Sequence, residues 1–412
     1  MFWQNAHSIA WAFIIIMIFS SLNGPFTNTP AYSQTAESHV SQEKYDKIKN
    51  CTKDLSKKPT SVEYLTHFNC GHVSKDESGR TVRQFTLIVQ EDQKIPISYE
   101  GHMFEGWTFN GTIPGPTMRV TEGDLVRIRL INTNDNAHGH SLYTQSIHYA
   151  KNNILSMTGY PGGTISPGRS FTYEFTAGPY GVYPYYCHEE PTADHINRGL
   201  YGIMIIDPKD PRPQMTEMAM LLNGYDLDLD MEGPTSMPHI ASTEDKGTNK
   251  TEQSNTNQTN IDTNMSNLTR LSLPSNQEEI ASNKTVIKEK RGNEIYTVNG
   301  RAFDYMINPI VLYTGKPYRV FIINMLEFDP VNSIHVHGAM FDYYSAGTNK
   351  TSDYLTDIVT LAKGDRGIME FTYVFPGTYM FHAHQTVFTD LGRMGLFDVR
   401  GNPVNRPTGD AT

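Results

Sequence analysis

The chain repeats an ordered series of short motifs, and this duplication constrains its fold more than any other feature. Motifs that recur in the same order in two halves predict two domains of one fold. Four segments of the first half have counterparts in the second half: residues 107–111 and 296–300, 140–145 and 332–337, 179–183 and 376–379, 199–202 and 392–395.

Short runs rich in β-branched residues predict that the domains are built from strands. These runs are bounded by turn residues and alternate imperfectly, as strands of a β-sandwich do. Aromatic residues are 11% of the chain and charged residues only 19%, and no long amphipathic helical pattern occurs, so we expect an all-β fold. The predicted strands are residues 83–90, 95–99, 117–120, 125–131, 170–175 and 202–206.

A cysteine flanked by histidines predicts a metal site in the first half. Cys187 is followed at once by His188 and, eight residues later, by His195. A blue-copper site needs one thiolate and two imidazoles, with a weak or absent axial ligand. A buried cysteine with two unrelated histidines is the alternative interpretation of this stretch, and the second histidine cluster below argues against it.

Two histidine pairs in the second half predict another metal site. His335 and His337 are separated by one residue, as are His382 and His384. Alternate residues of a strand point to the same face, so each pair can aim two imidazoles at one place. Imidazoles suit copper, with zinc also possible.

Taken together, these motifs resemble the multicopper oxidase family. The resemblance rests on residues 110–116, on 122–124 and on the Cys-His segment, and it extends over residues 83–207 and 294–399. It is most similar to the two-domain branch that includes copper nitrite reductases and small two-domain laccases. The resemblance implies an oxidoreductase with copper as its cofactor and two cupredoxin domains, each a Greek-key β-sandwich, assembled as a homotrimer.

The resemblance implies that His140, Cys187 and His195 hold the blue copper. His138 is the alternative to His140, and the register with the second half favours His140. Leu200 stands at the axial position, which favours a trigonal site with a raised reduction potential. Met204 is the other candidate axial donor, although core packing is the more usual role of a methionine within an apolar strand.

The second half lacks the residues for a blue site. Asn332 and Ala383 replace the first histidine and the cysteine, and Phe388 or a neighbour replaces the second histidine. In the family, the histidine pairs of domain 2 instead supply half of a three-copper cluster, at the contact with domain 1 of a neighbouring chain. The implied ligands of that cluster here are His188, His335, His337, His382 and His384.

The other half of that cluster departs from the family pattern. Tyr143, Gln145 and Tyr186 stand where imidazoles are expected, and only His188 matches. A nitrite reductase site is no better matched, because it needs histidine at Gln145 and Tyr186 and an acid at Tyr143. The two tyrosines are either ligands or redox-active groups, or they are structural replacements that followed the loss of copper. His102, His138 or His148 could instead supply the missing imidazoles from other directions.

We therefore expect electrons to pass from the blue copper through Cys187 and His188 to a second copper centre that reduces dioxygen. A copper nitrite reductase is one alternative, and a non-catalytic electron carrier or copper-binding protein is the other. The partners are a small-molecule oxidant and an electron donor that the sequence does not identify. Proton-delivering carboxylates are expected near the second centre, with solvated surface charges as the alternative: Glu189, Glu190, Asp194 and Asp390.

The ends and the middle of the chain differ in composition from the two domains. Residues 1–33 are predicted to be a signal peptide cleaved before Gln34 or an uncleaved membrane anchor, which places the protein outside the cytoplasm. Residues 34–80 form a polar extension in which Cys51 and Cys70 are a disulfide or two free thiols. Domain 1 is predicted at 81–232, a disordered Asn/Thr-rich linker at 233–292 and domain 2 at 293–403. The net charge of −10 argues against nucleic acid as a partner.

Overall fold

The computed structural model describes residues 51–52, 57–145, 163–227 and 293–401. The predicted signal or anchor at 1–33 and the predicted linker at 233–292 lie outside the described residues. Among the helices of the described part, none combines the length and the apolar character that crossing a bilayer requires.

The first half of the chain forms two sheets of hydrogen-bonded strands. One sheet contains, from edge to edge, β1 (Phe68–Asn69), β5 (Thr117–Thr121), β10 (Tyr201–Asp207), β9 (Gly181–Tyr186) and β7 (Tyr143–Thr144). The other contains β2 (His72–Lys75), β3 (Thr81–Pro96), β6 (Leu125–Asn132) and β8 (Ser170–Thr176), with β4 (Met103–Phe109) also paired to β3.

The second half repeats this arrangement with two more sheets. One has the order β12 (Glu294–Val298), β11 (Thr216–Asp226), β14 (Pro317–Asn324), β19 (Arg366–Thr372), β16 (Phe341–Ser345) and β17 (Tyr354–Thr356). The other has the order β13 (Ile310–Tyr313), β21 (Met394–Arg400), β20 (Gly377–His382), β15 (Val331–Val336) and β18 (Ile358–Ala362).

The described helices are all short, as expected from the absence of a long amphipathic pattern. They are α1 (Ser61–Tyr64), α2 (Thr192–Asn197), α3 (Asp304–Ile307) and α4 (Thr386–Asp390). The helices α2 and α4 occupy matching places, each between a strand end that carries metal-site residues and the final strand of its half. This mostly β architecture confirms the predicted all-β fold class.

Matching hydrogen bonds show that the two halves are structural repeats. Asn110 donates its N–H to the carbonyl of Ile88, and its side-chain oxygen accepts the Ile88 N–H. Asn299 makes the same two bonds with Leu221. Both asparagines have a positive φ, 58° and 54°, in the left-handed region that asparagine tolerates better than most residues.

The match of Ile88 with Leu221 makes β11 the counterpart of β3, and it also explains where β11 pairs. Strand β3 runs parallel to β6, and β11 runs parallel to β14 in the same way. By residue number β11 falls within the range predicted for domain 1, yet both of its neighbours, β12 and β14, belong to the second half.

Alternation along β3 shows how the core of the first half forms. Phe85, Leu87 and Val89 are buried, and the residues between them are exposed. Burying each such side chain stabilises the fold by about 1.5–3 kcal/mol relative to leaving it in water. The strand passes its predicted end at residue 90 through a β-bulge between Gln90 and Gln93 and runs on to Pro96.

A separate apolar cluster joins the two halves. Ile203 of β10 packs in one buried cluster with Leu221 of β11 and Phe321 of β14. Beside it, the buried carboxylate of Glu217 accepts hydrogen bonds from Arg119 of the first half and Arg319 of the second. The two β-sandwiches therefore share a packed and ion-paired contact.

A disulfide closes a loop within the segment before β2, and a strand of that segment joins the first half. Cys51 and Cys70 form a disulfide, so the thiol alternative is wrong. Strand β1, which directly precedes Cys70, pairs with β5 in parallel register. This part of the predicted polar extension is therefore built into a sheet of the first domain.

Candidate metal centres

Three predicted ligands of the first half converge in its interior. The Nδ1 atom of His195 lies 3.2 Å from the Sγ of Cys187, and the Nδ1 of His140 lies 3.7 Å from it. All three side chains are buried, and their ligand atoms lie within 4.8 Å of one another. One thiolate and two imidazoles in this arrangement are the donor set of a blue-copper site.

Backbone hydrogen bonds hold the cysteine end of this group. Cys187 donates its N–H to the carbonyl of Leu200, and Leu200 donates its own to the carbonyl of His195. The thiol sulfur accepts the N–H of Ser141 at 3.4 Å, which stabilises a thiolate. The start of β10, the end of α2 and the end of β9 are thus tied together around the site.

The electrostatics of this group keep its imidazoles neutral and its thiol protonated. Burial lowers the pKa of His140. Burial raises the pKa of the Cys187 thiol to about 12. Burial, together with the neighbouring His140 and His138, lowers the pKa of His195 to about 3. Both imidazoles therefore stay neutral at neutral pH, as metal ligands must, and a metal that binds here has to displace the thiol proton. These donors fit copper, which prefers soft thiolate and imidazole ligands.

The two candidate axial residues differ in position. Leu200 is fully buried next to the ligands through its bonds with Cys187 and His195. Met204 lies within β10, opposite Tyr183 of β9 and Met118 of β5, in the apolar core. An aliphatic residue, Leu200, therefore stands beside the group, whereas Met204 belongs to the apolar core.

Glu91 is a buried acid that was not among the predicted site residues. Its Oε1 accepts from the Nε2 of His140 at 2.8 Å, and its Oε2 accepts from the Nδ1 of His138 at 3.0 Å. Burial raises the pKa of Glu91, but hydrogen bonds from His140, Ala137 and His138 outweigh it and lower the pKa to about 2. The signal was present in the sequence, since Glu91 continues the core-facing row that ends in Val89.

The alternative ligand His138 lies outside the convergent group. Its side chain is 55% exposed and bonds Glu91, and its ring lies 4.8 Å from that of Trp107. The same Trp107 ring also meets the rings of His140 and His195, at 5.2 and 5.0 Å. The indole thus contacts His138 as well as the two imidazoles of the group.

Three predicted ligands of the second half form another group. His335 of β15 stands directly opposite His382 of β20 in the sheet, and the Nε2 atoms of His337 and His382 lie 3.0 Å apart. The ligand nitrogens of these three residues lie within 4.8 Å of one another. His384 is exposed beside them, with its ring 5.6 Å from that of His335.

Backbone carbonyls select the nitrogen that each imidazole presents. The Nδ1–H of His335 donates to the carbonyl of Asp357 at 2.8 Å, and that of His382 donates to the carbonyl of Ala383 at 2.6 Å. Both residues therefore present an unprotonated Nε2 to the group. Such partners fix the tautomer and orientation of metal-binding histidines.

The first half has tyrosines at the positions that correspond to His335 and His382. Tyr143 stands opposite Tyr186 between β7 and β9, just as His335 stands opposite His382. The Tyr143 ring lies 5.5 Å from that of Tyr186 and 5.3 Å from that of His188, and burial raises the pKa of Tyr186 to about 12. Among the described residues, no metal-binding group joins His188 to the second-half histidines.

His188 and His384 are themselves counterparts. The N–H of His188 donates to the hydroxyl of Ser141 at 3.1 Å, and the N–H of His384 donates to the hydroxyl of Ser333 at 2.8 Å. These matching bonds place both imidazoles at the same position of their respective domains.

A buried arginine occupies the second-half position that corresponds to the Cys-His group of the first half. Arg393, the counterpart of Leu200, is fully buried and donates to the side-chain oxygen of Asn332 and to the carbonyl of Asn223. Its guanidinium also lies over the rings of Tyr296 and Phe388. No group of metal-binding side chains forms at this position within the described residues.

Three of the four predicted carboxylates lie near the first group and not near the second, where they were expected. Glu189, Glu190 and Asp194 line a cavity of about 210 Å³ that also reaches Trp107 and His195. Glu189 accepts from the Thr164 hydroxyl, and burial raises its pKa. Asp390 is exposed on α4, near the second group in sequence.

Comparison with known proteins agrees with this geometry. Two family models, each described as multicopper oxidase, match residues 91–211 and 262–402. A solved structure described as a multicopper oxidase is 35% identical, with a TM-score of 0.63, and the match covers 83% of this chain and 97% of that one. A copper nitrite reductase structure from Nitrosomonas europaea is 21% identical with a TM-score of 0.56, covers 77% of this chain and 94% of its own, and supports the fold alone.

Curated relatives include a copper-containing nitrite reductase of Neisseria meningitidis, which is 32% identical over 136 residues. The match covers 32% of this chain and 32% of that protein, so the chain spans about a third of the relative's length. The predicted family and the copper cofactor are confirmed, and the prediction of an oxidoreductase is confirmed at the level of the family. This chain, with two cupredoxin-like halves and a Cys-His group in the first, belongs to the multicopper oxidase family.

Proposed function

We propose that this protein is an exported, copper-dependent oxidoreductase that takes electrons from a donor and reduces dioxygen. The observation that carries the proposal is the second-half group, where His335, His337 and His382 present ligand nitrogens within 4.8 Å of one another. A protein that only carried electrons would need the first group alone.

The first group would receive the electron. His140, Cys187 and His195 would hold one copper ion, which supplies one-electron oxidation and reduction. Because these ligands come from segments tied by backbone hydrogen bonds, their positions change little when the charge of the site changes. The ligand side chains are buried, with Leu200 and the Trp107 ring packed beside them.

The electron path we propose runs through Cys187 to His188. The two residues are adjacent in the chain, so the covalent route from the thiolate to the next imidazole is short. The bond from Ser141 fixes the backbone of His188 at the end of β9. Tyr143 and Tyr186 pack around that imidazole and orient it.

The second centre would be shared between two copies of the chain. Its donors are His335, His337, His382 and His384 of one copy, together with His188 of another. Support comes from the separation of these histidines within one chain, where the described groups do not join them. We therefore propose a homotrimer in which the second half of each copy contacts the first half of the next copy around a closed ring.

Nitrite reduction is the second candidate, favoured by the similarity to copper-containing nitrite reductases over part of the chain. Tyr143, Gln145 and Tyr186 replace the acid and imidazoles that such a site needs, but they also replace imidazoles of a three-copper cluster, so the two oxidants have to be compared directly. Location outside the cytoplasm is part of the proposal as well. The disulfide between Cys51 and Cys70 supports it, since disulfides persist in oxidising compartments.

Copper content and turnover with the two oxidants test the proposal. On the copper-reconstituted protein, about one copper per chain indicates a carrier, about two a reductase-like pair and about four a complete cluster. Oxygen consumption with an artificial donor, compared with nitrite consumption under argon, separates the two enzymes. Failure to reduce either oxidant would contradict the proposal.

Subunit mixing tests the shared centre. His188→Ala and His335→Ala chains should each be inactive alone, because each removes one half of the second centre. When the two are refolded together, some interfaces of the mixed trimer combine an intact His188 with an intact His335. We expect partial activity to return in the mixture, and its absence would place both histidines in one chain's own site.

A further inference from the structure

We propose that Glu91 is a positioning residue for the first copper site, which fixes the metal-binding tautomer of His140 and lowers the reduction potential of the copper bound there. The inference rests on the proposed function, because it assumes copper at His140, Cys187 and His195. Glu91 is not itself one of the three ligands and acts on the site through its hydrogen bond to His140.

Glu91 places a carboxylate on the buried face of β3, where the preceding residues are apolar. Glu91 follows Leu87 and Val89 on the inward face of β3, and its side chain is only 4% exposed. A β-bulge begins immediately beside it, and Asp92 adopts a φ of 53°. The bulge breaks the regular pairing with β4 next to the copper site, as bulges that re-aim a side chain do.

Every described partner of this carboxylate belongs to the loop that carries His140. Its Oε1 accepts from the His138 N–H at 3.0 Å and from the His140 Nε2 at 2.8 Å. Its Oε2 accepts from the Ala137 N–H and from the His138 Nδ1, both at 3.0 Å. Four donors around one buried carboxylate satisfy both oxygens and hold the loop against β3.

These contacts determine which nitrogen of His140 is available. An ionised carboxylate can only accept, so the Nε2 of His140 carries the proton and its Nδ1 has a free lone pair. That Nδ1 is the atom that faces the Cys187 sulfur. The carboxylate thus selects, before metal binds, the tautomer that the site requires.

The same contact makes His140 a stronger electron donor to a metal. A carboxylate that accepts the outer N–H raises the basicity of a ligating imidazole. The more basic ligand stabilises oxidised copper more than reduced copper, so the reduction potential falls. Glu91 therefore opposes the effect of Leu200, whose failure to coordinate raises the potential.

Glu91→Gln tests this role, with Glu174→Gln as the matched control. Glu174 is exposed on β8 of the same half and bonds Arg127, so its change removes one charge without touching the site. In Glu91→Gln we expect Cu(II) affinity to fall about 10- to 100-fold, with a smaller loss for Cu(I). A tenfold change in their ratio raises the potential by about 59 mV. The control should match the wild type.

Two further measurements cover a variant that fails to fold. Glu91→Asp keeps the charge, so its reduction potential should lie between that of the wild type and that of Glu91→Gln. Nitrogen-15 NMR of labelled histidine in the metal-free wild type should show the proton of His140 on Nε2. A proton on Nδ1, or equal potentials in Glu91→Gln and the control, would overturn the inference. Absence of thiolate-to-copper absorption in the copper-loaded wild type would instead overturn the proposed function, while the NMR result still decides the tautomer.

Discussion

Arg393 donates a hydrogen bond to the side-chain oxygen of Asn332 at the place where the first half has Leu200 and His140. The second half therefore has a buried guanidinium at the place that corresponds to Leu200 and His140. That guanidinium donates to oxygen atoms of Asn332 and Asn223. The duplicated scaffold has a Cys-His group that could hold a metal in one half and a polar part of the core at the matching place of the other.

Replacing Arg393 should destabilise the protein. In Arg393→Met, the side-chain oxygen of Asn332 and the carbonyl of Asn223 lose their donor in a buried setting. We expect the free energy of unfolding to fall by about 2–4 kcal/mol, as chemical denaturation would measure. Arg400→Met, at an exposed strand end, is the control. A variant as stable as wild type would show that the buried charge costs as much as its bonds contribute.

Replacing Cys187 should remove one metal and leave the others. In Cys187→Ser the first group loses its only sulfur, so the visible thiolate-to-copper absorption should disappear. The variant should also bind about one copper ion fewer per chain than the wild type. Metal analysis and absorption spectra measure both effects. If the absorption survives in this variant, the blue site uses other ligands.

Replacing His382 should separate the two centres. We expect His382→Ala to keep the blue absorption and to lose about 100-fold or more in turnover, since even an outer partner of a ligand contributes about 10- to 100-fold. His102→Ala, an exposed histidine of the first half, serves as the comparison. An unchanged electron-transfer rate to an external acceptor, in a protein without oxidase activity, would instead support the carrier alternative.

The axial residue should tune the potential in the direction opposite to the loss of Glu91. Leu200→Met offers a thioether to the copper and should lower its reduction potential, measured by redox titration. Met204→Leu should leave the potential unchanged, because Met204 packs in the core of β10. A shift in the second variant and none in the first would make Met204 the axial ligand.

The disulfide should stabilise the first half. Its two cysteines are 19 residues apart, and closing a loop of this length stabilises the folded state by about 3 kcal/mol in the chain-entropy model. We expect the double variant Cys51→Ser/Cys70→Ser to unfold at a lower denaturant concentration than wild type. An equal midpoint would mean that pairing of β1 with β5 alone holds this segment.

Much of the copper chemistry was predictable from the order of motifs. The pattern around Cys187 and His195, with the pairs His335/His337 and His382/His384, identified the family because each motif needs particular ligand types at short spacing. The all-β fold was predictable from its strand pattern for the same reason, since local periodicity reports the local environment. The predicted strand 83–90 ended too early, because a β-bulge after Gln90 interrupts the alternation while β3 itself continues to Pro96.

The sequence alone determined which residues are able to bind metal, because ligand chemistry belongs to each side chain. Only the tertiary structure shows that His140, rather than His138, lies with Cys187 and His195, because the loop turns these two histidines in different directions. It also revealed Glu91 and Arg393, whose partners lie 49 and 61 residues away in the chain. A carboxylate or a guanidinium acquires such a role through burial and long-range contacts, and those exist only after the chain has folded.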